Sequence, residues 1–295
     1  MTAAALVLAG CLLLVATALP SWTARSSWPR RAPVLGLVLW QALGLAAGLL
    51  SLSLCATVAL APLGRTHLDA LRHLADAGWS TWAAGLVGLT ILLRLLTVLV
   101  ASTVRTLRAR HDNRVLVDLV SQPHLLLRGA SVVEYDVPVA YCLPGLRPRL
   151  VLSRGALDVL SYEELRAVLA HEHAHLTQRH DLVVLPFVAL DATFPAVPAV
   201  QTARTEVALL IELLADDSAA RTHDRTHLAR ALWKIGTGDA PAGALGAAGG
   251  EVLLRAQRML DPPAPLGRAP RTGVALLTLA VAGSPLLGVL LPYLV

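Results

Sequence analysis

Val168-Leu169-Ala170-His171-Glu172-His173-Ala174-His175 is the stretch on which the reading of this 295-residue chain turns. It contains H-E-x-x-H. On a helix, positions i and i+4 share a face, so the imidazoles of His171 and His175 can grip one zinc ion while Glu172 points at water on that ion. Ahead of the motif, Ser161 and Glu164 stand in the S-x-x-E pattern of a capping box, and Leu165, Val168 and Leu169 supply an apolar stripe at helical spacing. The pattern predicts a helix that starts at Ser161 and carries the histidines in its second half.

A catalytic zinc needs a third protein ligand and keeps its fourth position open. Downstream, Ala208 to Ala220 reads as a helix on which Glu212 and Asp216 lie four apart on one face. Glu212 is the expected third ligand. Asp216, one turn away, is placed to accept the free imidazole N–H of a ligating histidine and so fix its tautomer. Glu206 is the rival ligand, disfavoured because no carboxylate follows it at i+4. Glu172 is the expected general base, taking a proton from water and delivering it to the leaving amine. His173 falls on the opposite helix face. His180 and Asp181 read as a cationic helix end and a cap, with contact to a ligating histidine as the alternative; Asp217 and Glu163 read as solvated surface. Such a site has the chemistry of a zinc metalloendopeptidase, with Zn2+ as cofactor and a protein or peptide as substrate.

The surrounding chain is written for lipid. Apolar residues make up 55% of it and charged residues 15%, a balance that excludes an ordinary cytosolic enzyme. Four stretches are long and apolar enough to cross a hydrocarbon layer of about 30 Å as helices: Ala3 to Leu19, Val34 to Ala61, Thr81 to Ala101, and Val274 to Val295. The first lacks a basic leader and reads as a retained anchor. Arg25, Arg30 and Arg31 in the first loop, and Arg105, Arg108, Arg110 and Arg114 after the third span, set the topology, because basic loops stay inside. The second loop offsets Arg65 and Arg72 with Asp69 and Asp76. The expected protein is therefore multi-pass in a plasma membrane, with Arg105 to about Arg271 and the active site on the cytoplasmic side.

The net charge of +5 follows from those arginines, which meet anionic head groups; apart from Trp28 no aromatic residue interleaves them, so nucleic-acid binding is not expected. Cys11 and Cys55 lie in apolar spans and Cys142 is isolated, so there is no disulfide framework. The expected fold class is mainly α: polytopic membrane helices plus a zinc peptidase domain with a small β-hairpin or sheet. The expected domains are 1–103 with three membrane helices, 104–271 as the peptidase, and 272–295 as a last membrane helix. Val115 to Ser153 reads as extended, with turn residues at Leu143 to Pro148. Asp224 caps a predicted helix from Arg225 to Ile235 ended by Gly236, Thr237 to Gly250 reads as a surface loop, and Glu251 to Leu260 as a helix.

Two features resist this scheme. Leu182 to Val200 is apolar but holds Pro186, Pro195, Pro198 and Asp191. Because His175 and Glu212 must meet one ion, the intervening chain has to leave and return on one side, as a re-entrant hairpin or as a helix lying against the spans; the second is the expectation. Arg94 sits inside the third span, where it is expected to reach toward cytoplasmic head groups, with pairing to Asp191 as the alternative.

In ordered series, Ala140-Tyr141-Cys142-Leu143-Pro144-Gly145, Leu152-Ser153-Arg154-Gly155, Leu160-Ser161, Glu163-Glu164-Leu165, the stretch quoted first, Arg179-His180-Asp181, Glu212-Leu213-Leu214-Ala215-Asp216 and Arg258-Met259-Leu260-Asp261-Pro262-Pro263 resemble membrane metallopeptidases of the beta-lactam-sensor, antirepressor type. These are gluzincins distantly related to HtpX-like and CAAX-prenyl proteases. The resemblance implies His171, His175 and Glu212 as zinc ligands, Glu172 as general base, a bacterial plasma membrane, and a strand near Val139 to Cys142 or Leu150 to Ser153 that pairs with substrate backbone. It also implies a cytosolic transcriptional repressor or a membrane-proximal protein as substrate, with membrane-protein quality control and a non-catalytic zinc scaffold as alternatives. The extracellular penicillin-binding domain of those sensors has no counterpart before Val295, so beta-lactam binding is not expected.

Overall fold

The computed structural model describes residues 2–64, 66–123, 130–143, 149–237, 247–287 and 290–291. They are mainly helical and group into two compact units, one made of Met1–Ser102, Pro186–Val207 and Pro265–Val295, the other of Thr103–Leu185 and Ala208–Ala264.

In the first unit, α1 (Thr2–Leu13), a π-helical turn (Leu14–Ala18) and α2 (Leu19–Arg25) form one continuous rod. The π turn sits just before Pro20, whose ring and missing N–H disrupt the ordinary i to i−4 pattern. A short α3 (Trp28–Arg31) leads into α4 (Pro33–Leu60), α5 (His67–Arg72) follows, and α6 begins at Trp79 and runs to Val120. Among the described residues, three helices are long and apolar enough to cross a membrane: Ala3–Arg25, Pro33–Leu60 and Trp79–Ala109. The fourth expected span, Val274 to Val295, extends outside the described residues; its first part lies in α13 (Arg268–Gly283), which packs on α4.

The Leu182 to Val200 segment leaves as α9 (His180–Thr193), reverses at residues 194–197 and returns as α10 (Pro198–Ala219). Arg204 pairs with Asp191, and the Gln201 side chain donates to the Pro195 carbonyl at 2.6 Å, tying the two arms at the turn. Arg94 does not pair with Asp191. Its Nη2 and Nε donate to the Thr193 carbonyl at 3.1 and 3.4 Å, because the last carbonyls of a helix lack intrahelical partners and attract a cation.

The second unit holds a four-stranded mixed sheet in the order β1-β2-β4-β3, with β1 (Ser121–Pro123), β2 (Ala130–Val133), β3 (Ala140–Leu143) and β4 (Arg149–Ser153). β3 and β4 form the antiparallel pair, with Ala140 opposite Leu152; β2 and β4 run parallel. Two expectations are corrected. Val115–Val120 is the end of α6 and not extended, because a long helix already nucleated propagates through β-branched residues at little cost. The helix after the Gly- and Ala-rich stretch begins at Ala247, earlier than Glu251. The expected turn at 144–148, and 238–246 of the expected loop, lie outside the described residues.

α7 (Arg154–Val159) leads from the sheet to α8 (Tyr162–Thr177), which starts on a complete capping box: Glu164 N–H donates to Ser161 Oγ at 3.3 Å and Ser161 N–H to Glu164 Oε2 at 2.8 Å. Gly155 N–H donates to the Tyr135 carbonyl, and a Cβ at Gly155 would stand 1.8 Å from the Asp136 carbonyl oxygen, so only glycine lets the strand end pass under the approach to β3. The buried face of α8 runs Glu164, Val168, His171. Its first half packs Leu165 and Val168 against Leu152, Ala156 and Ala231, so the stripe that holds the core delivers His171 into the interior one turn later. α11 (Arg225–Thr237) and α12 (Ala247–Leu260) pack on each other and on α8 through Ala167, Leu228 and Met259. α11 continues one residue past Gly236, and Asp224 caps it through the Thr226 N–H at 2.6 Å.

Glu164 is buried and also accepts from Lys234 Nζ at 2.6 Å. Burial pushes its carboxyl up, but Lys234 and the Ser161 N–H more than compensate and hold it below its usual range. A carboxyl lowered by folding stabilises fully above its unfolded value and loses that contribution as pH falls through the folded value. Glu164→Gln is therefore expected to cost about 1–2 kcal/mol at neutral pH and progressively less as pH falls through the lowered folded value into the acid range. Thermal melts of both proteins across that range check it.

Candidate metal centre

α8 and α10 face each other with their polar side chains at one level. His171 Nε2 and His175 Nε2 are 3.1 Å apart. Glu212 brings Oε2 to 3.4 Å from His171 Nε2 and Oε1 to 3.5 Å from His175 Nε2. Among the described residues, these three are the His, Cys, Asp and Glu side chains whose ligand atoms converge closely enough to hold a metal ion. Glu206, the rival third ligand, is on α10 but outside this cluster.

The donor set fits zinc. Ligands at about 2.0–2.1 Å from a tetrahedral ion stand roughly 3.4 Å from one another, close to the three separations observed, and two imidazoles with a carboxylate are a known catalytic zinc set. The protonation pattern agrees. Burial pushes the His171 imidazole down, but Asp216 and Glu212 outweigh it and hold it up at about 9. Burial pushes His175 down to about 4, helped by the charge on His171. Two ring nitrogens facing each other at 3.1 Å with a carboxylate beside both form a cluster of lone pairs suited to a cation.

Asp216 is fully buried, and its Oδ1 lies 2.9 Å from His171 Nδ1, off the axis that a linear N–H···O bond would take. It approaches the ring nitrogen that faces away from Glu212. Arg255 holds Asp216 from the other side, Nε and Nη2 each donating at 2.9 Å, and Nη1 reaches Glu212 Oε2 at 2.7 Å. Burial would raise the Asp216 carboxyl, yet Arg255 and His171 bring it down to about 2. Arg255 is the residue that motif spacing overlooks. The sequence signal is a lone arginine in register with Val252, Ala256 and Met259 on the apolar face of α12.

Glu172 lies beneath β3. Its carboxylate accepts from both the backbone N–H and the thiol of Cys142, and burial raises its pKa above the usual carboxylate range. Burial and the Glu172 charge in turn push the Cys142 thiol up to about 12, so it stays a donor. Arg179, in the left-handed region at φ 50°, closes α8 and turns the chain so that His180 returns to the site. His180 Nδ1 meets His175 Nδ1 at 3.0 Å, and its Nε2 meets Gln178 Oε1 at 3.1 Å. His180 therefore takes the histidine-contact alternative and not the plain helix end. Asp217 is corrected from solvated surface to a bidentate partner of Arg258, at 2.7 and 2.8 Å. His173 and Glu163 are exposed. A cleft of about 490 Å³ opens over the cluster between Tyr141 and Cys142 on one side and Ile211 and Glu251 on the other.

Residues 107–215 match the model of Peptidase family M48. The match covers α8 and most of α10 with Glu212, and it supports a metallopeptidase, a hydrolase associated with a membrane through its apolar helices. No curated protein and no solved structure gives a match to the chain.

Proposed function

We propose that the chain is an integral-membrane zinc-dependent endopeptidase in which His171, His175 and Glu212 hold the ion and Glu172 is the general base. The observation that carries this is the convergence of two imidazoles from α8 and one carboxylate from α10, beside a buried, raised glutamate. The chemistry that zinc would supply there is Lewis acidity toward water and a peptide carbonyl. Glu172 takes up a proton from water and returns it to the leaving amine, and its raised pKa suits both halves of that exchange. Asp216, fixed by Arg255, sets the tautomer of His171, and His180 does the same for His175.

The strand that serves the substrate is β3. β4 is flanked by β2 and β3, whereas β3 closes the described sheet and offers its outer backbone edge beside the cleft. An extended polypeptide added there would run past Glu172. The substrate class is a membrane-proximal or cytosolic protein, and by resemblance a transcriptional repressor in a signalling pathway. In vesicles of purified protein, a denatured protein substrate should be cleaved internally, cleavage should stop with a zinc chelator, and zinc should restore it. Cleavage indifferent to chelation would refute the reading.

A further inference from the structure

The first unit contains a cavity of about 310 Å³ walled by the first rod, α4, α6 and the α9–α10 turn. Leu12, Leu43, Ile91, Phe187 and Val200 are among the apolar groups that line it. Trp40 on α4 also lines it, is 1% exposed, and its Nε1–H is buried without a hydrogen-bond partner. A buried donor left without a partner costs about 1–3 kcal/mol, so an unpaired indole N–H beside a largely apolar space marks a place for an acceptor.

The depth of that donor is informative. Trp40 is seven residues into α4, about 10 Å along a helix from Pro33. Pro20, on the other wall, is five residues from Arg25. The cavity thus begins one to two turns inside the loop that carries Arg25, Arg30 and Arg31. Arginines in the adjoining loop, one unpaired hydrogen-bond donor on the wall and, apart from Ser51, whose hydroxyl donates to the Ala47 carbonyl, apolar groups along the rest match the order of chemistry along a phospholipid: anionic phosphate, ester carbonyl, acyl chain.

We propose that this cavity is a lipid site, which takes one acyl chain of an anionic phospholipid with its ester carbonyl accepting from Trp40 Nε1. The Gly44 and Gly48 surface of α4 forms part of the wall. An added Cβ at Gly48 meets nothing within 4 Å, so bulk can be introduced there without striking a neighbour. Lipid in the site would bridge α4 and the tip of the α9–α10 hairpin, whose Phe187 and Leu190 lie against Gly44.

The test uses the full chain in bilayer nanodiscs containing phosphatidylglycerol with a photoreactive acyl chain. Labelling should fall on α4 and α9–α10 peptides and be competed by unlabelled phosphatidylglycerol. Trp40→Phe should lower it about fivefold to tenfold, the scale of one net hydrogen bond. Gly48→Phe should abolish it, and Gly48→Leu, a smaller filler, provides the same reading if the first does not fold. Equal labelling in wild type and Gly48→Leu overturns the proposal, as does indifference to Trp40→Phe. So does preferential capture of an apolar helical peptide over the lipid at these positions. None of these readouts depends on proteolysis, so the lipid site and the peptidase reading stand or fall separately.

Discussion

Glu172→Gln is expected to lower turnover of a denatured protein substrate by about 10²- to 10⁴-fold, the range a positioned general base contributes. Bound zinc should stay at the wild-type level, because the substitution preserves size and leaves His171, His175 and Glu212 untouched. The effect is large because Glu172 is raised by burial, follows His171 directly and is anchored to β3 through Cys142, whereas His171 and Arg255 hold Glu212 low and Arg255 and His171 hold Asp216 low; Glu251, also raised by burial, comes to the cleft from α12. Turnover and zinc content measured on the same preparations separate chemistry from metal loading. Membranes expressing the two proteins should differ in their cleaved proteins; identical fragment patterns with zinc retained would leave a scaffold.

Asp216→Ala is expected to destabilise the second unit by about 3–5 kcal/mol, since it strands the Arg255 guanidinium in the interior. Zinc affinity should drop by about 10- to 100-fold through the loss of His171 orientation. The Asp216 carboxyl is held at about 2, below its ordinary value of 3.8, so its stabilisation is complete above that ordinary value and decays as pH falls through about 2. The double variant Asp216→Leu with Arg255→Met should recover stability without recovering zinc affinity, because a buried ion pair is replaceable by apolar packing but a histidine-orienting carboxylate is not. Thermal melts and zinc titrations on the two variants check both statements.

These expectations rest on residues that are unequally visible in the sequence. The meeting of His171, His175 and Glu212 is legible because helical periodicity fixes side-chain direction over one or two turns, and both helices carry clear signals, a capping box in one and a carboxylate pair in the other. The order of the strands is not legible. β2 runs parallel to β4 and separates it from β1, a crossover that short strands do not encode locally. That arrangement is what makes β3 and not β4 the sheet edge.

Arg255 escapes a motif search because its partners, Asp216 and Glu212, lie about forty residues away on another helix. Its only local trace is a charge where the stripe calls for an apolar residue. Val115–Val120 misleads for the opposite reason: β-branched residues favour a strand in isolation, yet the long apolar helix that begins at Trp79 carries through them. The α9–α10 turn is legible only as a constraint. Prolines forbid an ordinary crossing helix and the meeting of His175 with Glu212 demands a return, but the grouping of Pro186–Val207 with α4 emerges from packing of Phe187 and Leu190 on a glycine.

The most direct test of the central claim is the metal content of purified full-length protein, by elemental analysis, in wild type and in Glu212→Ala. The account predicts one zinc per chain in the first, and in the second an affinity lowered enough that dialysis removes it. Wild-type protein free of any transition metal, or zinc that binds equally well without the Glu212 carboxylate, would contradict it.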